Sequence, residues 1–298
     1  MRLVTRADLD GLTCAVLITS AETIEEVCLV HPQDITDKKV PITRRDILAN
    51  LPYHPECGKW FDHHLLTASN ERPPSLFEGR YALAPSAARV VLDHYLVDHP
   101  GLRRHAKLVE VTDRLDSAQL TLSDVTDPRD FILLGFTLDS RTGLGAYHDY
   151  FHKLLAALRE RPIDEVLQDP DVAERVARMR EQDQKFRTLT VLHSRTQGNV
   201  VVTDFRGADA PPVGNRFIVY TLFPAANISV RVHWGPNRSR VALVAGHSIF
   251  NRTSKTNVGW LLSRYGGGGH RGAGSCLLDP RTADVQIAEI VDAMTKDG

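Results

Sequence analysis

The first half of the chain alternates short apolar runs with longer stretches in which apolar residues recur at helical spacing. The runs at 2–5 and 59–62 are typical of buried strands, whereas 10–21 and 85–99 are typical of helices. Strands that alternate with helices predict a parallel sheet covered by helices on both faces. We therefore expect residues 1–160 to form an α/β domain.

The pattern changes after residue 160. Residues 161–194 are charged and rich in helix-forming residues, which predicts a helical connector with a mostly solvated face. Beyond them, turn residues separate four strand-like runs, at 199–205, 216–223, 228–234 and 240–247. A helix, a glycine-rich loop, a strand and a last helix follow. Residues 195–298 are therefore predicted to form a smaller α+β domain.

Composition and charge narrow the classes of function. Hydrophobic residues make up 42% of the chain and charged residues 24%, which is typical of a globular protein. No apolar run approaches the roughly 20 residues that span a bilayer, and the amino terminus has no apolar signal core, so we expect a cytoplasmic location. The net charge of −1 gives no basic field that would attract long duplex nucleic acid. A small anionic substrate fits this charge better.

Acidic residues and histidines follow two of the predicted strands. Asp8 and Asp10 come after the first strand, and Asp62, His63 and His64 come at the end of another. Ligands of open α/β sheets bind beyond the carboxyl ends of the strands, so we expect these side chains at one edge. Carboxylates with imidazole suit Mn²⁺, Mg²⁺, Fe²⁺ or Zn²⁺, and several carboxylates favour a pair of ions. The two acids alone could be helix caps, but the added histidines predict a metal site.

Three segments, in this order, resemble the DHH phosphoesterase family with a carboxyl-terminal DHHA1 domain. They are "ADLDG" at 7–11, "FDHH" at 61–64 and "GGGGHRGAG" at 266–274. The family includes RecJ-type exonucleases, oligoribonucleases, cyclic-dinucleotide and bisphosphonucleotide phosphatases, and exopolyphosphatase-like proteins. The resemblance implies a parallel-sheet DHH catalytic domain over 1–160 and a DHHA1 substrate-binding domain over 195–298.

The resemblance also implies two divalent metal ions, with Mn²⁺ expected and Mg²⁺ or another divalent ion as alternatives. The implied ligands are Asp8, Asp10, Asp46, His63 and Asp113. Asp46 is chosen as the acid that bridges the two ions, because a short apolar run precedes it; Asp34 and Asp37 are its rivals. Asp113 is preferred to Asp116 as the acid that follows a helix.

The same resemblance assigns acid–base roles to the histidine pair. His64 would contact the phosphoryl group or protonate the leaving oxygen, because histidine titrates near neutral pH. Asp62 would hold a histidine nitrogen in place. One position departs from the family: many relatives carry a metal-binding histidine four residues before the first acid, where this chain has Val4. His31, at the end of a predicted strand, is a candidate substitute.

The carboxyl-terminal motifs supply the expected substrate contacts. Glycine adopts positive φ and lets backbone N–H groups approach an anion, and four consecutive glycines exceed what one helix cap requires. The segment at 250–258 resembles the Arg-Ser segment that precedes the glycine loop in the family, with a threonine where serine is common. The expected substrate-binding residues are Arg252, Thr253, Gly267, Gly268, Gly269 and His270.

These observations predict a metal-dependent phosphoesterase that cleaves short nucleotides with water activated by two metal ions. The candidate substrates are an oligoribonucleotide, a linear dinucleotide or a bisphosphonucleotide. The alternatives are an exopolyphosphatase and a binding protein for phosphorylated ligands that lacks turnover. We expect a small phosphorylated partner and neither membrane nor long duplex nucleic acid, and a homodimer is left open. Members of one fold family act on different bonds, so the family alone does not fix the substrate.

Overall fold

The computed structural model describes residues 1–66, 73–138, 148–208 and 212–298, and the chain divides into two units. Unit 1 comprises Met1–Leu120 and Pro128–Met179, and unit 2 comprises Thr121–Asp127 and Arg180–Gly298. The predicted boundaries after residues 160 and 194 stay predictions.

Eleven strands and twelve α-helices lie within the described residues. The strands are β1 (Arg2–Thr5), β2 (Glu26–Leu29), β3 (Asp46–Ala49), β4 (Lys59–Asp62), β5 (Gly79–Tyr81), β6 (Ser194–Gln197), β7 (Val200–Asp204), β8 (Ile228–Trp234), β9 (Val241–His247), β10 (Gly268–His270) and β11 (Ala273–Leu278). The helices are α1 (Leu9–Ala21), α2 (Pro32–Thr36), α3 (Ala87–Tyr95), α4 (Ala106–Asp116), α5 (Leu122–Thr126), α6 (Asp130–Leu138), α7 (His148–Glu160), α8 (Ile163–Leu167), α9 (Pro170–His193), α10 (Ile218–Leu222), α11 (Val258–Ser263) and α12 (Ala283–Asp297). None of these helices is both long and apolar enough to cross a bilayer.

The sheet of unit 1 is parallel throughout its described strands, in the order β2-β1-β3-β4-β5. Its central strands are apolar and buried, as parallel strands covered on both faces usually are. The α/β class and the strands predicted at 2–5 and 59–62 are therefore confirmed.

Helix α1 is the buried centre of unit 1. Its residues from Leu9 to Ile18 are all buried, and it packs against β1, α3, α4 and α7. The helix begins where the Asp8 carboxylate accepts a hydrogen bond from the Gly11 N–H at 2.9 Å, an N-cap that satisfies one otherwise unpaired helix N–H. The hydroxyls of Thr13 and Thr112 lie 2.8 Å apart and join α1 to α4. This packing fixes the first turn of α1, which carries two of the predicted ligands.

Unit 2 contains a mixed sheet in the order β10-β11-β9-β8-β7-β6, in which only β7 and β8 are parallel among its described pairs. Helices α11 and α12 share its apolar core. The strand predicted at 216–223 is wrong, because these residues contain helix α10. A short buried apolar run fits a strand or a helix equally well by its periodicity. The carboxamide of Asn215 accepts from the Phe217 N–H and starts the helical turn instead.

Candidate metal centre

The carboxyl ends of β1, β3 and β4 lie side by side at one edge of the parallel sheet. Thr5 pairs with Ala49, and Ala49 pairs with Phe61, so the residues that follow each strand meet at the same edge. Asp8 and Asp10 follow β1, Asn50 follows β3, and His63 follows β4. The edge predicted for the site therefore carries polar side chains from three strands.

Three acceptor groups of the described residues converge at this edge. The Nε2 atom of His63 lies 3.3 Å from Oδ2 of Asp116 and 3.7 Å from Oδ2 of Asp10. Nδ1 of His63 is 2.9 Å from the Ala84 carbonyl, which can only accept, so Nδ1 carries the proton and Nε2 of the neutral ring does not. Among the described residues this buried Nε2 has no hydrogen-bond partner. The donor set fits a divalent cation, and each of the three residues offers a ligand atom within 4.8 Å of the others.

The carboxylate of Asp10 is fixed by the start of a helix. It accepts hydrogen bonds from the N–H groups of Ala87 and Ala88, the first residues of α3, at 2.9 and 2.8 Å. Burial nevertheless raises the pKa of Asp10 well above its ordinary value, and the negative charges of Asp116 and Asp8 raise it further. Burial also raises the pKa of Asp116, against the opposing effect of His63. These acids are held where a cation would relieve their mutual repulsion.

The second histidine of the motif is paired with the acid of the same motif. Nδ1 of His64 lies 2.8 Å from Oδ1 of the buried Asp62, and the side chain of His64 is 48% exposed. The hydrogen bond to Asp62 raises the pKa of His64, although burial acts against it. Because Nδ1 is engaged, Nε2 is the nitrogen that remains for a substrate. The structure thus brings Asp62 and His64 together, and their roles in the reaction stay predictions.

Asp8 has a different environment from Asp10. One oxygen, Oδ1, accepts from the N–H of Gly11 and from Nδ2 of Asn50, at 2.9 and 3.0 Å. The other oxygen lies 3.0 Å from Nε of Arg6 in an ion pair. Only glycine fits at position 11, because a Cβ there would lie 1.9 Å from the Arg6 carbonyl oxygen.

Asp46, expected to follow a strand, is instead the first residue of β3. That expectation is wrong because the apolar run Ile47–Ala49 lies after Asp46, so the strand extends away from it. Nε and Nη2 of Arg2 donate to its carboxylate at 2.8 and 2.9 Å, and the Thr43 N–H donates at 2.7 Å. The residue at the strand end is Asn50, which sequence reasoning missed. Asp46 stays an untested ligand prediction, and its position gives that prediction no support.

Asp113 and Asp116 lie one turn apart on α4 and have different partners. The Ser86 hydroxyl donates to Asp113 at 2.6 Å, and Nη2 of Arg89 donates at 2.7 Å. Asp116 is the acid near His63. The structure therefore favours Asp116, which the sequence ranked second, as the ligand. The sequence could not separate the two acids, because residues three apart share a helix face and only the packing around them differs.

The remaining ligand candidates of unit 1 lie outside this group. Nδ1 of His31 accepts from the Gln33 N–H at 3.1 Å at the start of α2. Asp34 and Asp37 both form ion pairs with Lys39. None of these three belongs to the potential metal-binding groups found among the described residues.

The glycine loop of unit 2 is a tight hairpin. A Cβ at Gly267 would lie 2.1 Å from the Ser275 carbonyl oxygen, and one at Gly269, whose φ is +146°, would lie 2.3 Å from that of Ala273. Both glycines are therefore required by packing alone. At Gly268 a Cβ would meet nothing within 4 Å among the described residues. His270 is exposed and its Nδ1 accepts from an N–H two residues on, at 3.1 Å.

The two expected contacts before this loop are also engaged locally. Nε of Arg252 donates to the Ile249 carbonyl at 3.0 Å. The Thr253 hydroxyl donates to Asn251 at 2.8 Å and accepts from Asn227 at 3.0 Å. Substrate binding by these residues and by the glycine loop stays a prediction.

Comparison with solved structures gave a relative whose match extends over the whole chain. It is a pGpG-specific phosphodiesterase, PggH from Vibrio cholerae, with 40% sequence identity and a TM-score of 0.87, and the match covers 100% of this chain and 99% of that one. Neither a scan against family models nor a search of curated proteins gave a match.

More distant structures share the fold alone. A DHH domain from a protein described as a member of a ribosomal protein family has 13% identity and a TM-score of 0.64, over 99% of this chain and 86% of that one. RecJ from Thermus thermophilus, solved with Mn²⁺, has 14% identity and a TM-score of 0.62, over 99% of this chain and 52% of that one.

Proposed function

The chain belongs to the DHH/DHHA1 family of phosphoesterases, and on that premise we propose that it hydrolyses the phosphodiester bond of a linear dinucleotide. A guanine dinucleotide such as pGpG is the first candidate, because the relative with 40% identity carries that specificity in its name. The observation that carries the proposal is the convergence of Asp10, His63 and Asp116 at one edge of the sheet. This group has the chemistry of a cation site, and a cation there could bind a phosphate of the substrate.

Asp10, His63 and Asp116 would hold a divalent ion. Nε2 of His63 has no hydrogen-bond partner in the described part of the chain, so a bound cation would satisfy this nitrogen. Such an ion would supply Lewis-acid charge to the phosphoryl oxygens. Mn²⁺ is the proposed ion, since oxygen and imidazole ligands suit it.

His64 is the proposed proton donor in this reaction. Asp62 holds Nδ1 of His64, so Nε2 can present a proton to the 3′ oxygen that leaves. Water adds to the phosphorus, the bond from phosphorus to the 3′ oxygen breaks, and the proton of Nε2 passes to that oxygen. The products are two 5′-mononucleotides, and water returns a proton to the histidine. The raised pKa of His64 favours the protonated ring before the reaction.

Residues of unit 2 are proposed to bind the distal part of the substrate. They are Arg252, Thr253, Gly267, Gly268, Gly269 and His270. The open space at Gly268 and the exposed ring of His270 support this assignment, whereas packing already accounts for Gly267 and Gly269. A cytoplasmic location and a homodimer stay predictions.

The test measures the products that the protein releases in the presence of Mn²⁺. The substrates are pGpG, a short oligoribonucleotide, a 3′,5′-bisphosphonucleotide and polyphosphate. We expect mononucleotide from pGpG, with turnover abolished in His63→Ala. His64→Ala should slow turnover by about 10²- to 10⁴-fold, as loss of a general acid does, while the rise in melting temperature on Mn²⁺ addition is kept. Release of phosphate from polyphosphate alone would replace the proposal with the exopolyphosphatase. Binding of pGpG without turnover would replace it with the non-catalytic binding protein.

A further inference from the structure

The second metal position implied by the family lacks all but one of its expected ligands at this edge of the described structure. Val4 stands where many relatives have a histidine, and it is fully buried in the apolar core behind the site. Asn50 stands at the end of β3, where the acid that bridges two ions was expected. An amide carries no charge, so this position contributes one negative charge fewer than an aspartate. Of the expected ligands for a second ion, Asp8 alone is present as an acid at this edge of the described structure.

Asp8 is already satisfied by protein donors. Gly11 and Asn50 donate to Oδ1, and the guanidinium of Arg6 lies 3.0 Å from Oδ2. The contrast with Asp10 is one of surroundings, because Asp10 faces the carboxylate of Asp116 and Nε2 of His63 rather than an arginine. A cation near Asp8 would have to displace Arg6 or sit beside its positive charge, and both cost free energy.

Arg6 belongs to the electrostatic environment of the same site. Its charge acts on Asp116 and on His64 as well as on Asp8. A guanidinium cannot lose its proton near neutral pH, so it is a permanent positive charge. Arginine also offers five N–H donors in a planar fork that matches phosphate oxygens, and Nε is the guanidinium atom that forms the ion pair with Asp8.

We propose that this site holds one divalent ion, on Asp10, His63 and Asp116, and that the guanidinium of Arg6 supplies the positive charge that a second ion provides elsewhere in the family. The inference rests on the proposed function and replaces the two ions expected from the resemblance. Arg6 would bind a phosphoryl oxygen of the substrate while its Nε stays with Asp8. The carboxamide of Asn50 donates to Asp8 through Nδ2 and so keeps Asp8 in place.

The first test is the number of Mn²⁺ ions bound per chain, measured by equilibrium dialysis of the chelator-treated protein and by electron paramagnetic resonance. We expect one tightly bound ion in the wild type, with the six-line signal of an isolated Mn²⁺. Asp8→Asn should keep that ion, because Asp8 is not its ligand, and His63→Ala should lose it. Two tightly bound ions with an exchange-coupled signal, or loss of one ion of two in Asp8→Asn, would overturn the inference.

The second test concerns Arg6 and needs no metal count. Arg6→Gln should lower kcat/KM by about 10²-fold, the usual effect of removing one positioned donor to a reacting oxygen. Arg6→Lys should recover part of that loss, because the charge returns without the fork. Arg45→Gln is the matched control, since Arg45 is exposed, pairs with Glu25, and precedes β3 at the opposite end from the site. An Arg6→Gln variant as active as this control would overturn the role of Arg6.

The two failures are distinguishable. Turnover of pGpG with two bound ions leaves the proposed function intact and removes the single-ion inference. One bound ion without turnover of any nucleotide removes the proposed function, and the ion count still stands.

Discussion

Asp10, in the first turn of α1, and Asp46, the first residue of β3, are each only 2% exposed, and they lie at opposite ends of the parallel strands. Asp46 receives a two-point hydrogen bond from Arg2 and further bonds from Thr43, which outweigh the upward effect of burial and place its pKa below the ordinary value. Asp10 has no such cation among the described residues, and its pKa lies well above the ordinary value because burial and the charges of neighbouring acids act together. Two acids with the same solvent exposure therefore have opposite electrostatic environments. A buried acid that is already paired holds the fold together, whereas one that faces other acceptors marks a site for a cation.

The matched substitutions Asp10→Asn and Asp46→Asn give the largest expected contrast. Asp10→Asn should lower kcat/KM by roughly 10³-fold, because it removes a ligand whose ion supplies several kcal/mol of transition-state stabilisation. Asp46→Asn should instead lower the free energy of unfolding by about 2 kcal/mol, because it leaves the guanidinium of Arg2 partly unpaired. Activity is measured per folded molecule, and stability by urea denaturation.

A double-mutant cycle separates the two effects further. In an Arg2→Met background, Asp46→Asn should cost much less than it does in the wild type, since the pair is already broken. Loss of bound Mn²⁺ in Asp46→Asn would contradict the comparison and restore Asp46 as a ligand.

The same comparison shows how far the sequence leads. Asp10 and His63 lie at the one edge where the sequence predicted them, because the strand predicted before each of them is present. Asp46 was expected after a strand but is the first residue of one. The apolar residues on its two sides gave no clear choice, because strand boundaries predicted from sequence are uncertain by several residues. Asn50 directly follows the apolar run 47–49, so its position alone indicates a polar side chain at the strand end. The choice between Asp113 and Asp116 depends on the partners Ser86 and Arg89, which only the fold brings to α4.

His105 extends the comparison to a buried base. Burial, together with the positive charges of Arg104 and Arg159, lowers its pKa to about 4. Its pKa in the folded state lies below the value near 6.5 of the unfolded chain, so the neutral ring stabilises the fold fully above pH 6.5 and progressively less as the pH falls toward 4. With allowance for solvent screening, we expect a loss of about 2 kcal/mol in the free energy of unfolding over that range.

The measurement is the difference in unfolding free energy between the wild type and His105→Gln at several pH values. Subtraction removes the contribution of the other histidines, so a difference that varies between pH 6.5 and 4 belongs to His105. A constant difference over that range would show that the ring is not held neutral.

The smallest expected effect is a gain in the free energy of unfolding, whereas most substitutions lower it. Asp116 lies at the carboxyl end of α4, where a negative charge opposes the helix dipole, and it also faces Asp10 and Asp8. In the presence of a chelator, Asp116→Asn should therefore raise the free energy of unfolding, by about 0.5 kcal/mol. Asp113→Asn, one turn earlier, should lower it by about 1 kcal/mol, because it weakens a paired carboxylate.

Addition of Mn²⁺ should reverse the order of stability of these two variants. The wild type and Asp113→Asn should gain stability on Mn²⁺ addition, since an ion that binds only the folded state stabilises it, and Asp116→Asn should gain little. The two substitutions remove the same charge from the same helix, so only the partners of each acid can produce opposite changes. If Asp113→Asn is the variant that loses the response to Mn²⁺, then Asp113 is the ligand and the packing of Arg89 against it must change when the ion binds.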